Sequence, residues 1–320
     1  MKFAIGAILF IASGVSWSAP ASYPQISVEV TPIKVSSNAY YVLGQPGIAS
    51  NVNQGFNSNA GFVLTKDGVV VIDALGTPAL GNALLKAIKK TTSLPIKRVI
   101  VTHYHADHFY GLQAFKDAGA EIWAYRTGRD YLESDEANNR LAQRSLDLFP
   151  WVDEKTKLIP ADRWLDKDES FTLGGTRFEI VHLGPAHSPD DVVIVVHGDQ
   201  IVFSGDILYT GRIPFVGEAD SKRWLQTFSR LENLKPKLMV PGHGKVSHDP
   251  TQDFKLTRDY LTYLRIEMGK AVEGFISFDE AYAKTDWSRF ANLPAFAEGN
   301  RINAYGTYLL MEKESLAGRQ

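Results

Sequence analysis

Short apolar runs separated by turn residues make up most of the first part of the chain. Residues 61–65 and 69–72 are two such runs, and the sequence Lys66-Asp67-Gly68 between them contains the Asp-Gly pair typical of a hairpin turn. Residues 170–181 and 191–204 each repeat this pattern of two runs around a short turn. The pattern therefore predicts several β-hairpins.

Helical spacing follows some of these predicted strands. Thr77-Pro78 is a strong helix start, because the threonine hydroxyl can cap the first turn and proline is tolerated at the first helical position. Leu80 and Ile88 belong to the stripe that such a helix would bury. We also expect a helix over residues 107–116. Strands and helices in alternation indicate an α/β protein.

The pattern becomes predominantly helical after Asp249. Apolar residues recur there at helical spacing, namely Phe254, Leu261, Leu264 and Met268. Residues 301–314 predict another helix. We interpret these apolar stripes as packing surfaces, with a contact in a homo-oligomer as the alternative.

Residues 126–164 are more polar than their surroundings, with helical stretches interrupted at Phe149-Pro150-Trp151. We interpret this segment as an insertion over the face of the protein that carries the candidate site described below. A structural flap and a substrate lid are both consistent with the pattern.

The first 21 residues have the pattern of an export signal. Lys2 precedes an apolar run over residues 3–11, and Ala19-Pro20-Ala21 matches an A-x-A cleavage site, with an earlier cut at Ser16-Trp17-Ser18 as the alternative. The apolar run is too short to span a bilayer comfortably. We therefore expect a signal peptide over 1–21, a periplasmic or secreted protein, and no membrane anchor in the mature chain.

Composition narrows the classes of function. The chain has 320 residues, with 34 basic against 36 acidic side chains, so it has no overall charge that would hold nucleic acid. We expect a small-molecule substrate instead. Cysteine is absent, which excludes a cysteine nucleophile, a thiolate metal ligand and a lipidated cysteine.

The highest concentration of candidate metal ligands lies in Thr102–His108. Three histidines and an aspartate follow the β-branched residues 99–101 directly. On a strand, residues i and i+2 point to the same face, so His103 and His105 can bind one ion together. Asp107 and His108 would then lie at a helix start and face the same space. The alternative interpretation is a histidine-rich surface turn.

Further candidate ligands lie at or just after the ends of predicted strands. These are His187 in the loop over residues 184–191, Asp206 in Gly205-Asp206, and His243 in Pro241-Gly242-His243-Gly244. Asp73 also follows an apolar strand, and it is either a solvated strand end or an inward carboxylate that supports a metal site. Imidazole and carboxylate donors without cysteine favour zinc, with iron or manganese as less favoured metals.

These motifs together resemble those of the metallo-β-lactamase superfamily over residues 57–248. The resemblance implies an αβ/βα four-layer sandwich of two mixed β-sheets over residues 22–249, with a helical C-terminal extension over 250–320. The region from Asn57 to Asp73 and the helical tail also resemble a periplasmic branch, the quinoprotein relay system zinc metallohydrolases.

The resemblance implies a role for each candidate residue. His103, His105 and His187 match the first metal position, and Asp107, His108 and His243 match the second. Asp206 matches the carboxylate that bridges the two metals, and Asp73 matches an acid that orients the ligands. Asp107 is also expected to orient the nucleophile.

The implied activity is that of a dinuclear zinc hydrolase. In such enzymes a metal-bound hydroxide attacks the carbonyl of an ester, thioester, lactone or lactam. Dedicated β-lactamases usually lack the bridging carboxylate, so Asp206 favours the other hydrolases of the superfamily. The alternative is an iron persulfide dioxygenase, which uses positions matching His103, His187 and Asp206 around one iron.

Four other side chains lie close in sequence to these ligands, namely Tyr104, Tyr209, Arg212 and Lys245. Each is a candidate for facing the substrate. Side chains of these types are more often packed or solvated than catalytic. For each of the four we therefore favour a packed or solvated side chain.

Overall fold

The structure is a computed structural model that describes residues 22–217 and 219–317. The predicted signal peptide lies outside these residues. Within the two described ranges, no helix combines the length and apolar character that a membrane crossing requires.

The first β-sheet has seven strands in the order of the chain. They are β1 (Ile33–Lys34), β2 (Ala39–Val42), β3 (Ala60–Leu64), β4 (Val69–Ile72), β5 (Ile96–Ile100), β6 (Glu121–Tyr125) and β7 (Arg163–Leu165). Strands β1 to β4 pair antiparallel, and β4 to β7 pair parallel. The predicted hairpin around Asp67-Gly68 is the β3–β4 pair.

The second sheet has five strands in the order β12-β11-β10-β9-β8. They are β8 (Glu169–Leu173), β9 (Thr176–His182), β10 (Val192–Val196), β11 (Ile201–Tyr209) and β12 (Leu238–His243). The β8–β9 and β10–β11 hairpins agree with the sequence pattern, and β12 pairs parallel with β11.

The helices follow the alternation that the sequence predicts. They are α1 (Pro78–Thr91), α2 (Ala106–Phe109), α3 (Leu112–Asp117), α4 (Thr127–Leu132), α5 (Asp135–Asp147), α6 (Ser221–Asn233), α7 (Pro250–Glu273), α8 (Phe278–Lys284) and α9 (Phe296–Ala317). Helices α4 and α5 form the helical part of the segment over residues 126–164.

Four layers result from strands that are apolar on both faces. In β4, Val69 and Val71 pack on the side of α1, whereas Val70 and Ile72 face the second sheet. In β10, Val193 packs in a separate cluster with helices α6, α7 and α9. Because both faces of these two central strands are buried, β4 and β10 read as continuous apolar runs rather than alternating ones. This arrangement confirms the expected αβ/βα sandwich of two mixed sheets.

The predicted start of α1 is confirmed. The Thr77 hydroxyl accepts a hydrogen bond from the backbone N–H of Leu80 at 3.1 Å, and Pro78 is the first helical residue. Leu80 and Ile88 are fully buried.

The predicted single helix over residues 107–116 is wrong, because it divides into α2 and α3 around Gly111. Gly111 lies so close to α1 that a Cβ atom on Gly81 would be 2.2 Å from the Gly111 carbonyl oxygen. The Gly111 N–H donates to the Leu75 carbonyl oxygen at 3.0 Å instead of continuing a helix. This close contact brings α2 and its ligand candidates against the first sheet.

The C-terminal helices pack on the outer face of the second sheet. Helix α7 begins at Pro250, where the side chain of Asp249 caps the backbone N–H of Gln252. Phe254, Leu261 and Met268 are buried there, as the helical spacing predicts. The boundary between a catalytic domain and a helical extension at residue 249 stays a prediction.

Candidate metal centre

Strand ends of the two sheets meet at one edge of the sandwich, and the candidate ligands lie there. His103 and His105 follow β5, His187 lies in the β9–β10 loop, and His243 ends β12. Asp206 differs from the prediction, since it lies inside β11 rather than after it. The pairing of β11 with β12 shifts register on both sides of Gly205, which gives Asp206 an irregular strand position.

All seven predicted ligands converge on a small volume. In each of three groups the donor atoms lie within 4.8 Å of one another, namely His103–His105–His187, His103–His108–Asp206 and Asp107–His108–His243. The first and third groups match the two positions implied by the resemblance. His103, His108 and Asp206 connect them, so the seven side chains form one continuous centre.

Hydrogen bonds on the outer side fix three of the histidine rings. The Nδ1 atom of His108 lies 2.9 Å from Asp73 Oδ2, that of His187 lies 3.0 Å from the Phe215 carbonyl oxygen, and that of His243 lies 2.7 Å from the Asn57 carbonyl oxygen. These oxygens accept hydrogen bonds, so each Nδ1 carries the proton. The Nε2 atom of each ring therefore faces the centre, as in metal sites with oriented imidazoles.

Asp73 also orients His103 through an intermediate residue. Its carboxylate accepts hydrogen bonds from the backbone N–H and the hydroxyl of Thr102, both at 2.8 Å. The Thr102 oxygen is then free to accept a hydrogen bond from His103 Nδ1 at 3.1 Å. The interpretation of Asp73 as an inward carboxylate therefore holds, and the solvated strand end is wrong.

Three buried atoms test whether a metal fits. Among the described residues, His103 Nε2, His108 Nε2 and Asp206 Oδ1 are buried without a hydrogen-bond partner, although the last two lie 3.1 Å apart. Buried polar atoms are rarely left unpaired in native proteins. Imidazole nitrogen and carboxylate oxygen are donors that zinc accepts. The donor set fits a cationic metal.

The first group of ligands is neutral at neutral pH. Burial, together with the neighbouring His187, lowers the pKa of His105 to about 3. Burial likewise lowers the pKa of His187 to about 4. His105 Nδ1 and His187 Nε2 lie 2.8 Å apart. The two rings therefore present closely spaced nitrogen donors that need no deprotonation before a cation binds.

The third group carries opposite charges instead. Burial opposes ionisation there, but Asp206 and Asp73 outweigh it and hold the pKa of His108 well above its usual value. Burial is also outweighed at Asp107, whose pKa is held well below its usual value by His108 and His243. Cation binding at this group would therefore displace protons from histidine.

Two glycines allow the carboxylate of Asp206 to reach the centre. A Cβ atom on Gly242 would lie 1.9 Å from Asp206 Oδ1, so this position admits only a residue without a side chain. Gly205 has φ +50° and lies against Thr102, where a Cβ atom would be 2.7 Å from the hydroxyl oxygen. The sequences Gly205-Asp206 and Pro241-Gly242-His243 thus contain candidate ligands and also the glycines that let neighbouring chain segments pack closely around them.

Two of the four candidate substrate-facing residues lie at the centre. Tyr209 is fully buried, donates its hydroxyl to Asp206 Oδ2, and stacks on His243 with ring centroids 5.0 Å apart. Arg212 is buried with Nη1 3.3 Å from His243 Nδ1, and it donates to the Gly47 carbonyl oxygen at 2.7 Å. Both are packed, and both contact candidate ligands.

The other two candidates are a packed side chain and an exposed one. Tyr104 is buried against Phe109 and Trp164, with ring centroids 4.8 and 5.6 Å away. Lys245 is exposed. For these two residues the packed or solvated interpretation agrees with the structure.

The loop before β3 contributes contacts that the sequence pattern did not assign. Asn57 donates from Nδ2 to Asp107 Oδ2 at 3.0 Å, and its carbonyl oxygen accepts from His243. The Ser58 hydroxyl donates to the Asp107 carbonyl oxygen. Asn59 ties this loop to β12 through the Pro241 carbonyl oxygen at 2.8 Å. The sequence feature that could have indicated these contacts is the high content of Asn and Ser over residues 45–59. An ordinary surface loop has the same composition.

A family model for the metallo-β-lactamase superfamily matches residues 53–243, more than half of the chain. The chain belongs to this superfamily. All seven candidate ligands lie within the matched residues. Helices α7 to α9 lie beyond them.

Three curated relatives are named for different activities. The metallo-β-lactamase IND-1 of Chryseobacterium indologenes is 26% identical over 222 residues, which cover 67% of this chain and 81% of the relative. The hydroxyacylglutathione hydrolase GloC of Haemophilus influenzae is 32% identical over 163 residues, 47% of this chain and 70% of the relative. A linear primary-alkylsulfatase of a Pseudomonas strain is 22% identical over 254 residues, 68% of this chain but only 48% of the relative. These relatives are metallo-hydrolases, which confirms the prediction of a metal-dependent hydrolase.

Solved structures support the fold. A metallo-β-lactamase from Pontibacter korlensis matches 73% of this chain and 99% of its own chain, with a TM-score of 0.59 and 22% identity. The sec-alkylsulfatase Pisa1 from Pseudomonas sp. matches 88% of this chain and 50% of its own chain, with a TM-score of 0.68 and 17% identity. At these identities the similarity shows the fold alone.

Proposed function

We propose that this chain is an exported hydrolase that holds two zinc ions and cleaves an ester, thioester, lactone or lactam. The observation that carries the proposal is the convergence of seven nitrogen and oxygen donors into two groups, which a third group containing Asp206 connects. The proposed export rests on the signal pattern of the first 21 residues alone.

Asp206 is proposed to bridge the two positions, because its carboxylate contacts ligands of both. Its Oδ2 lies 3.4 Å from His187 Nε2 in the first group and 3.2 Å from His243 Nε2 in the other. Its Oδ1 lies 3.1 Å from His108 Nε2. The one-iron alternative needs only His103, His187 and Asp206, and it leaves the other four candidate ligands without a role, namely His105, Asp107, His108 and His243.

Asp107 is proposed to face the substrate. Its side chain is 16% exposed whereas that of Asp206 is 4% exposed, so Asp107 lies on the open side of the centre. Asn57 holds its Oδ2, and the lowered pKa keeps it ionised. Two bound zinc ions would lower the pKa of water and polarise a carbonyl. The Asp107 carboxylate would accept a hydrogen bond from the attacking water and orient it.

The test is a hydrolysis screen on the zinc-loaded protein. Thioesters, lactones, aryl esters and β-lactams cover the proposed bond types, and an alkyl sulfate is added because one relative carries that activity in its name. We expect turnover of at least one carbonyl substrate. Turnover of the sulfate alone, or of none of these substrates by zinc-loaded protein, would contradict the proposed substrate class.

Asp107→Ala supplies the residue-level test in the same assay. We expect turnover to fall by at least about 100-fold, because the variant loses the group that orients the nucleophile. Asp199→Ala, in the exposed β10–β11 turn at the opposite strand ends, should retain wild-type turnover. Unchanged turnover in folded Asp107→Ala would remove Asp107 from the mechanism.

A further inference from the structure

The segment over residues 213–217, here called the clamp loop, supports a candidate metal ligand through its backbone. It lies between β11 and α6, and the Phe215 carbonyl oxygen accepts the hydrogen bond from His187 Nδ1 at 3.0 Å. This contact fixes which nitrogen of His187 faces the metal centre. The position of the Phe215 carbonyl group therefore decides how His187 is aimed.

Asn303 of helix α9 holds the clamp loop on both sides of Phe215. Its Oδ1 accepts hydrogen bonds from the backbone N–H groups of Val216 at 2.8 Å and Gly217 at 3.3 Å. Its Nδ2 donates to the Pro214 carbonyl oxygen at 2.8 Å. The side-chain amide thus contacts the peptide groups that precede and follow Phe215.

One of these peptide groups connects Asn303 directly to His187. The Phe215 carbonyl oxygen and the Val216 N–H belong to the same planar peptide group. His187 Nδ1 donates to the oxygen of this peptide group, and the N–H of the same group donates to Asn303 Oδ1. Hydrogen bonds in such a chain polarise and strengthen one another in a buried environment. Asn303 therefore fixes the plane of the peptide group that accepts the hydrogen bond from His187.

The orientation of the Asn303 amide is itself fully determined. Nδ2 makes a second hydrogen bond, to the Tyr260 hydroxyl of α7 at 3.0 Å, and that hydroxyl donates to Asn300 Oδ1 at 2.8 Å. Asn303 uses all of its capacity, two lone pairs and two N–H groups, and it is completely buried. If the amide were flipped, its NH2 group would face the backbone N–H groups of Val216 and Gly217, and no hydrogen bond could form there.

We propose that Asn303 is a positioning residue that fixes His187 for metal binding. The C-terminal helix α9 would then be part of the metal centre, although it lies outside the residues 53–243 that match the family. The inference rests on the proposed function, because it requires His187 to bind a metal.

The test measures zinc affinity by competition with a chelator on the full chain. Asn303→Leu removes all four hydrogen bonds at similar volume, and we expect one of the two zinc ions to bind about 10- to 100-fold more weakly. Asn303→Ser gives the same test, with the same expectation, where the leucine variant does not fold. Asn300→Leu is the matched control, because Asn300 is equally buried on α9 and bonds Tyr260 and Tyr282 but not the clamp loop.

A double-mutant cycle separates positioning from a general structural effect. In a His187→Ala background, the Asn303 substitution should leave zinc affinity unchanged, because the residue through which it acts is gone. An equal loss of affinity in the Asn300 control, or an undiminished effect without His187, would overturn the inference. Failure of the wild-type chain to bind two zinc ions would instead contradict the proposed function.

Discussion

Asp73 contacts none of the metal-facing nitrogens, yet it determines the orientation of two rings. One carboxylate oxygen accepts from His108 Nδ1, and the Thr102 hydroxyl extends its influence to His103. Such outer contacts make imidazoles better ligands by fixing both the tautomer and the ring plane. At the scale of single residues, the geometry of the centre therefore depends on the hydrogen bonds around the candidate ligands as much as on the candidate ligands themselves.

Asp206→Ala should weaken zinc binding at both positions. Outer-shell substitutions alone cost about 10- to 100-fold in metal affinity, so loss of a carboxylate shared by both positions should exceed about 100-fold. The measurement is chelator competition, with Asp199→Ala as the control for loss of a carboxylate elsewhere. Retention of two zinc ions at wild-type affinity in the Asp206 variant would refute the bridging role.

Asp190 links the two loops of the first metal position without facing the centre. It accepts hydrogen bonds from the Tyr104 backbone N–H at 2.9 Å and from the Ser188 hydroxyl at 2.8 Å. Burial raises the pKa of Asp190 from 3.8 to about 6. The folded chain therefore keeps a proton between about pH 4 and 6 that the unfolded chain has lost, so stability falls as pH rises through that window.

Asp190→Asn should remove this pH dependence, because an amide does not titrate. The stability of the variant relative to the wild type should rise by roughly 2 kcal/mol between pH 4 and pH 7. Urea denaturation of the metal-free proteins at several pH values measures the difference. A difference that stays constant across this range would show that Asp190 is already ionised at pH 4.

At the scale of elements, the contact between α1 and the α2–α3 turn brings two candidate ligands, Asp107 and His108, into place. Gly81 and Gly111 face each other closely enough that neither tolerates a side chain. The apolar pattern predicted α1 correctly, because its spacing is local. It missed the break at Gly111, because that break depends on a contact with a distant helix.

Gly81→Ala should therefore destabilise the fold despite the higher helix propensity of alanine. Forcing a methyl group into this contact should lower the free energy of unfolding by about 1–3 kcal/mol. Gly299→Ala in α9 is the control, since its Cβ would meet only ordinary contacts at 3.8 Å or more, and alanine there should be neutral or stabilising by up to about 1 kcal/mol. Urea denaturation compares the two. A Gly81 variant as stable as the wild type would contradict the tight helix contact.

At the scale of the whole molecule, the grouping of the candidate ligands and the inward carboxylate of Asp73 were predictable, whereas the other contacts that support the candidate ligands were not. The motif from His103 to His108 is dense enough to be recognised locally, and His187, Asp206 and His243 follow in the order of the family. Their supports come from backbone oxygens and amides far away in the chain. No spacing rule connects Asn303 with His187, because their link through the peptide group between Phe215 and Val216 exists only once α9 packs on the second sheet.

The central claim is that the two groups of ligands hold two zinc ions, and metal content tests it most directly. The full chain, purified without added metal and freed of loosely bound ions, should contain two zinc ions per chain by elemental mass spectrometry. One iron per chain, accompanied by oxygen consumption in place of hydrolysis, would contradict the claim.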